Sequence, residues 1–246
     1  LRYLQVTEQD DSETPYKGIV AIGKNAGILH HVHYLRGQET LAAPSLLVDA
    51  GATHHGYASD ITRTIVRHDE GGSRGTELFA QLIEKLETLQ HTICSEIRVG
   101  MPYEELHDRS HALLAEALCA IGVATGSSED LVEGGGTRAF FPHGLGHSLG
   151  LQVHDVGSKD VPPREDNPFL RTTFTIQDGQ VFTIEPGCYF IPSLLQPLRE
   201  KPIAKSIDWE KVELLSPFGG IRIEDNIAVQ DQKSVNLTRD NWATLS

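Results

Sequence analysis

The sequence predicts an α+β domain. Strand-like runs stand at both ends of the chain with a helical stretch between them. Two long apolar stripes in that stretch repeat at helical spacing. Acidic residues close several strand runs at places where an apolar side chain would be expected. Strands, then helices, then more strands argue for segregated layers rather than a doubly wound parallel sheet.

The first strand signals are "SLLVDAG" and "YASDITRTIV", which are short, rich in β-branched residues and in the first case closed by glycine. Between Thr76 and Ile97, Leu78, Leu82, Leu86, Leu89 and Ile93 fall on one helical face. After Gly100 and Pro102 a second stripe runs through Leu106, Leu113, Leu114, Ala117, Leu118 and Ile121, and Gly122 allows it to stop. Both read as core-facing amphipathic helices. "FPHGLGHSLGLQVHD" carries too many glycines for a helix, and "GSKDVPPREDNPFLRTT" reads as a long loop. "QVFTIEPGCYF" and "GGIRIEDNIAV" are the later strands. Between them, Ile191 to Phe218 holds Pro192, Pro197, Pro202 and Pro217 and is expected to be irregular.

The 246 residues suit one large domain or two small ones, with 39% hydrophobic and 22% charged residues. A formal net charge of −13 argues against nucleic acid or an acidic membrane surface as partner. There is neither an apolar run long enough to span a bilayer nor a signal peptide at the front. Cys94, Cys119 and Cys188 are odd in number and widely spaced, which fits a reducing cytoplasm better than a disulfide framework. The chain opens on Leu1 rather than Met, so a fragment of something longer is expected.

The acids carry the chemistry. Asp49 closes "LLVDAG", Asp60 enters the next strand, Glu185 follows "FTI" and Glu224 follows "GIRI". Taken singly, each has an ordinary explanation: a turn at Asp49, an ion pair of Asp60 with Arg63, a solvated strand end at Glu185, an ion pair of Glu224 with Arg222. Four together are costly to bury unless paired, hydrogen-bonded or bound to metal. Strand alternation places Arg222 and Glu224 on one face and Ile221 and Ile223 on the other, and sets Thr183 and Glu185 opposite Phe182 and Ile184. His143, His147 and His154 cluster in the glycine-laced segment. The four-residue spacing of His143 and His147 imitates a helical zinc motif, but Gly144 stands where its glutamate would be. One imidazole with four carboxylates is an oxygen-rich set suited to a pair of divalent ions such as Mn, Co or Zn. Such a pair lowers the pKa of its water and clamps an acyl oxygen, as in metal-assisted hydrolysis.

In order and context these residues resemble the dinuclear signature of the pita-bread metallopeptidases, the family of methionine aminopeptidase, aminopeptidase P and prolidase. The motifs that carry the likeness are "LLVDAGATHHGYASDITRT", "FPHGLGHSLGLQVHDVG", "FTIEPGCYF" and "GGIRIEDNIAV", and it covers nearly the whole chain. It implies a pita-bread fold of curved antiparallel sheets flanked by helices, with residues 1–246 forming a catalytic domain that lacks the family's N-terminal domain and first catalytic-domain helices. It also implies two divalent cations per subunit, foremost Mn. Asp49 would hold one cation, Asp60 and Glu224 would bridge both, and His147 and Glu185 would complete the second.

Within the family the likeness is nearest to the bacterial Xaa-Pro dipeptidases, including the organophosphorus acid anhydrolases. His143 is present in "PHGLGH", the interval from Glu185 to Glu224 is long, and "NPFLRTT" and "GMPY" resemble substrate-pocket segments. This implies hydrolysis of a dipeptide with C-terminal proline by a hydroxide bridging the cations, in a cytoplasmic homodimer. His143, His154, Glu185 and Arg222 would be catalytic; His30, Tyr103, Leu170 and Arg171 would contact substrate. A free dipeptide ends in a carboxylate near the scissile bond, and Arg171, Arg222 and His30 are candidates to hold it. Arg222 could equally orient Glu224. Two other readings stay open: a same-fold enzyme acting on longer peptides, as aminopeptidase P does, or on phosphoesters; and a non-catalytic pita-bread binding module, disfavoured because all five ligands are present.

Overall fold

A computed structural model describes residues 2–34, 43–67, 72–157 and 159–241. A short helix, α1 (Arg2–Thr7), leads into β1 (Ile19–Ile22), β2 (Ser45–Ala50), a hairpin of β3 (Thr53–His54) and β4 (Tyr57–Ala58), and β5 (Ile61–Val66). The antiparallel order β1-β2-β5 sets Asp49 opposite Ile19 on one side and Thr62 on the other.

The two apolar stripes are helices, α2 (Arg74–Glu96) and α3 (Tyr103–Ala120). Ser73 caps α2, its hydroxyl accepting from the Thr76 amide at 3.1 Å. Leu78, Phe79, Leu82, Leu86, Leu89 and Ile93 form the buried face of α2 and meet Leu106, Leu114 and Leu118 of α3 in the main core. Two short helices follow, α4 (Ser128–Glu133) and α5 (Gly136–Phe140), which the sequence reading passes over because each is about one and a half turns long.

The glycine-laced segment and the long loop run on to β6 (Val181–Ile184) and β7 (Gly187–Tyr189). The span expected to be irregular instead holds two helices, α6 (Pro192–Leu198) and α7 (Trp209–Leu215). Pro192 occupies the first turn of α6, where no amide is needed, so this proline starts a helix rather than breaking one. Asp208 caps α7. The chain then forms β8 (Gly220–Arg222), β9 (Asp225–Gln230) and β10 (Lys233–Asn236). A second antiparallel sheet has the order β10-β9-β6, and β7 pairs with β8.

The two larger sheets meet at an isolated bridge between Thr62 and Glu224. Side chains reinforce this seam. Asn226 accepts from the Asp60 amide and donates to the Asp60 carbonyl, and Thr64 Oγ1 bonds both the amide and the carbonyl of Arg222. All three cysteines are free; Cys188 is fully buried, while Cys94 and Cys119 are partly exposed.

Candidate metal centre

Four separate stretches of chain deliver carboxylates to the seam. Asp49 projects from β2, Asp60 precedes β5, Glu185 follows β6, and Glu224 sits between β8 and β9. The glycine segment delivers His147. Its amide donates to Thr183 Oγ1 at 3.1 Å, and its carbonyl accepts from the Thr183 amide at 2.9 Å, so this loop runs hard against β6. Only glycine fits at 146: a Cβ there would collide with the Thr183 carbonyl and the Tyr103 hydroxyl.

Asp60, His147 and Glu224 each present a ligand atom within 4.8 Å of the others, and all three are buried. His147 Nε2 stands 3.4 Å from Asp60 Oδ2, 3.6 Å from Glu185 Oε1 and 3.9 Å from Glu224 Oε1. Its Nδ1 lies 3.0 Å from the Ser148 carbonyl; donation there leaves the Nε2 lone pair for the centre. Tyr16, far away in sequence, brings its hydroxyl 2.6 Å from Asp49 Oδ1 and 2.5 Å from Asp60 Oδ1, sharing one proton between the two. Arg222 donates to Asp49 at 2.5 Å, to Thr62 Oγ1 at 3.2 Å and to the Tyr189 hydroxyl at 3.1 Å. Thr62 in turn donates to Glu224 Oε2 at 2.6 Å. Arg222 thus hydrogen-bonds toward Glu224 through Thr62; its direct ion partners are Asp49 at 2.5 Å and, more distantly, Glu185 at 4.0 Å.

The electrostatics are those of a cluster short of positive charge. Burial, with repulsion from Asp60, Glu185 and Asp49, holds the Glu224 carboxyl well above its ordinary pKa. Burial lifts Glu185 to about 7 despite His147 and Arg222. Asp49 is also raised, by burial first and then by Asp60, against the pull of Arg222. At His147, burial opposes protonation, but the bond to Asp60 and the charge of Glu185 outweigh it and raise the imidazole. Glu224 Oε1 is buried with no hydrogen-bond partner, an expensive arrangement for a carboxylate oxygen. A divalent cation would satisfy that atom and replace the protons, so Asp60, His147 and Glu224, with Asp49 and Glu185 beside them, fit a metal centre by donor chemistry and by charge.

The centre lines a cavity of about 600 Å³ that includes His30, Arg171, His143 and His154, within the usual size of a small-molecule site. His143 has Nδ1 2.8 Å from the Gly144 carbonyl and Nε2 2.8 Å from the Tyr189 hydroxyl. Burial and Arg222 push its pKa down to about 3, so the ring is neutral. His154 packs its edge against His147, centroids 4.4 Å apart, and lies 2.9 Å from Arg171 at the exposed mouth. Burial, with His147 and Arg171, holds its pKa at about 4.

Two residues read from the sequence as substrate contacts stand elsewhere. Tyr103 is fully buried between Phe174 and Phe182, and its hydroxyl is used on the Thr183 carbonyl at 2.9 Å. Leu170 is also core; its backbone backs Gly144, and it borders a smaller neighbouring cavity of about 140 Å³. Both support the wall of the site from behind. Conversely, Tyr16, Thr62, Tyr189 and Asn226 organise the centre without a sequence signal of their own, because each acts through a contact made in three dimensions.

Comparison with known proteins agrees with this geometry. The model of metallopeptidase family M24 matches residues 1–231. A Shewanella sediminis protein named Xaa-Pro dipeptidase is 44% identical over 246 residues, covering 97% of this chain and 54% of the relative. An Aeromonas hydrophila protein of the same name is 47% identical over 248 residues, with the same coverage. The chain therefore spans about half the length of the curated relatives it matches. Among solved structures, proline aminopeptidase P II from Yersinia pestis superposes with a TM-score of 0.70 at 28% identity, over 96% of this chain and 47% of that one. Zinc-substituted Escherichia coli aminopeptidase P in complex with product gives 0.66 at 30% identity, over 92% and 44%. The pita-bread architecture, with acids from both sheets gathered around His147, accordingly has a family to which it answers: the chain belongs to metallopeptidase family M24.

Proposed function

We propose that this chain is the catalytic portion of a metal-dependent Xaa-Pro dipeptidase, acting in a longer, homodimeric, cytoplasmic protein. The observation that carries the reading is the convergence of Asp60, His147 and Glu224, with Asp49 and Glu185 beside them, in one cavity. The names of the relatives support the substrate class, and the free cysteines support the compartment. Among the described residues, no helix is long and apolar enough to cross a membrane.

Two divalent cations, foremost Mn, held by Asp49, Asp60, His147, Glu185 and Glu224, would supply a water of lowered pKa and positive charge facing the scissile carbonyl. Glu185, at the edge of the centre and lining the cavity, is placed to take a proton from the attacking water and deliver it to the leaving imino nitrogen of proline. Both nitrogens of His143 are engaged, so that ring orients rather than shuttles. His154, neutral at the mouth, donates to the developing oxyanion. Arg171 and His30 flank the cavity where a free terminal carboxylate would be met, and Arg222 fixes Asp49.

The full-length protein that carries this chain should hydrolyse an Xaa-Pro dipeptide, lose that activity on chelation and dialysis, and regain it with Mn. Undiminished turnover after chelation overturns the mechanism. The likeness to aminopeptidase P structures favours a second reading, an exopeptidase acting on longer Xaa-Pro peptides. Faster cleavage of an Xaa-Pro-Yaa tripeptide than of the dipeptide would establish it instead. A phosphotriester included beside them tests the remaining hydrolytic alternative.

A further inference from the structure

Directly behind Glu224 lies a buried charge cluster that the mechanism does not use. Asp225 is fully buried and accepts four side-chain hydrogen bonds. They come from Arg63 Nη2 at 2.5 Å, Arg239 Nε at 2.5 Å, Gln90 Nε2 at 2.7 Å and Asn236 Nδ2 at 2.8 Å. Arg239 also pairs with Glu87 of α2 at 2.7 Å. Two arginines and two acids balance, and their burden of hydrogen bonds ties α2, β5, β9 and β10 to one carboxylate.

Arg63 is the member that crosses the seam. From β5 its Nη1 donates to the Thr62 carbonyl at 2.8 Å and to the Glu224 carbonyl at 2.7 Å, while Nη2 holds Asp225. Asp60 and Glu224 come from opposite sides of that seam, and backbone pairing there amounts to the single Thr62–Glu224 bridge. The distance between the two acids is therefore set by side chains.

We propose that the Arg63–Asp225 pair is a positioning strap that holds Asp60 and Glu224 at the separation needed for a second cation, and so fixes the metal stoichiometry of the centre. This rests on the metal-dependent reading above. The two cation positions respond unequally to a loosened seam. His147, Glu185 and Glu224 all stand on one side, so the cation they share keeps most of its donors. A cation held by Asp49 would have only Asp60 on its own side and would need Glu224 from across. Removing the Asp225 charge also takes away the anchor of Arg63 Nη2, which loosens the Nη1 bond to the Glu224 carbonyl across the seam.

The test is Mn titration of the metal-free full-length protein by calorimetry, with electron paramagnetic resonance to detect spin-coupled Mn pairs, on the parent, Asp225→Asn and Arg63→Lys. The parent should bind two equivalents and show the coupled signal. In the variants the first equivalent should stay within about threefold, while the second weakens roughly 10- to 100-fold and the coupled signal is lost. Arg63→Lys keeps the charge and disturbs folding least, so it decides the matter if Asp225→Asn does not fold. Two parent-like equivalents in Arg63→Lys, or equal weakening of both, would overturn the strap. A parent that binds no Mn would instead overturn the metal-dependent reading itself.

Discussion

At Glu224 a buried oxygen without a partner, a carboxyl raised well above its ordinary pKa, and a threonine bond on the other oxygen coexist in one side chain. That combination leads to a measurable exchange of protons for metal. In the metal-free centre Glu185, raised to about 7, is partly protonated at pH 7, and burial raises Glu224 in the same direction. Adding Mn in weak buffer should release about one proton or more per chain, and fewer as the starting pH is raised toward 9; an indicator dye reads this directly. The sign for stability follows. A carboxyl raised on folding binds more protons in the folded state, so the metal-free protein should lose stability as pH rises from about 4.5 to 7, and Mn should remove that loss. Tyr16 offers a separate check. Tyr16→Phe removes the proton shared by Asp49 and Asp60, and on the scale of a bond to a charged acceptor should cost about 2 kcal/mol of metal affinity. An unchanged titration would show that Tyr16 merely lines the cavity. The convergence of Asp60, His147 and Glu224 was legible because acids at strand ends beside a histidine cluster break the apolar pattern. Tyr16 breaks no pattern, since "ETPYKG" reads as an ordinary turn, and its role arises only when the turn folds over β2.

The elements show the same division. The stripes of α2 and α3 were plain because each repeats its apolar residue through several turns. The helices α4 to α7 are one to two turns long, and tertiary contacts rather than periodicity stabilise them. The prolines between Ile191 and Phe218 misled for a physical reason: at a helix start proline costs no hydrogen bond. The glycine segment was read correctly as non-helical, but the tight approach to β6 that demands Gly146 was invisible. Gly146→Ala should force the loop off β6 and destabilise the fold by about 2 to 3 kcal/mol, moving the urea midpoint and weakening metal binding through His147. A parent-like midpoint would mean that the loop has slack the packing does not suggest.

Over the whole molecule, the α+β layering was legible from strand and helix order, whereas the seam between sheets was not, because it is built from long-range pairs such as Asp60 with Asn226. Away from the seam, His107 and His111 of α3 are buried with Nδ1 atoms that lack partners. Desolvation pushes their pKa values down to about 4 and about 2. Here the unfolded chain binds more protons, so stability should fall as pH drops below about 6.5, the reverse of the carboxylate trend. Comparing parent with His111→Leu cancels the carboxylates. Between pH 6.5 and 4 the parent should lose on the order of 3 kcal/mol more than the variant, and parallel urea midpoints would refute it.

Cys188 sits at 0% exposure on β7, which pairs with β8, and its thiol is raised above the usual range by burial alone. The protein thus contains its own chemical clock. An alkylating reagent should mark Cys119 early and Cys188 only when β7 and β8 part, so the lag between the two labels times how often this part of the fold opens.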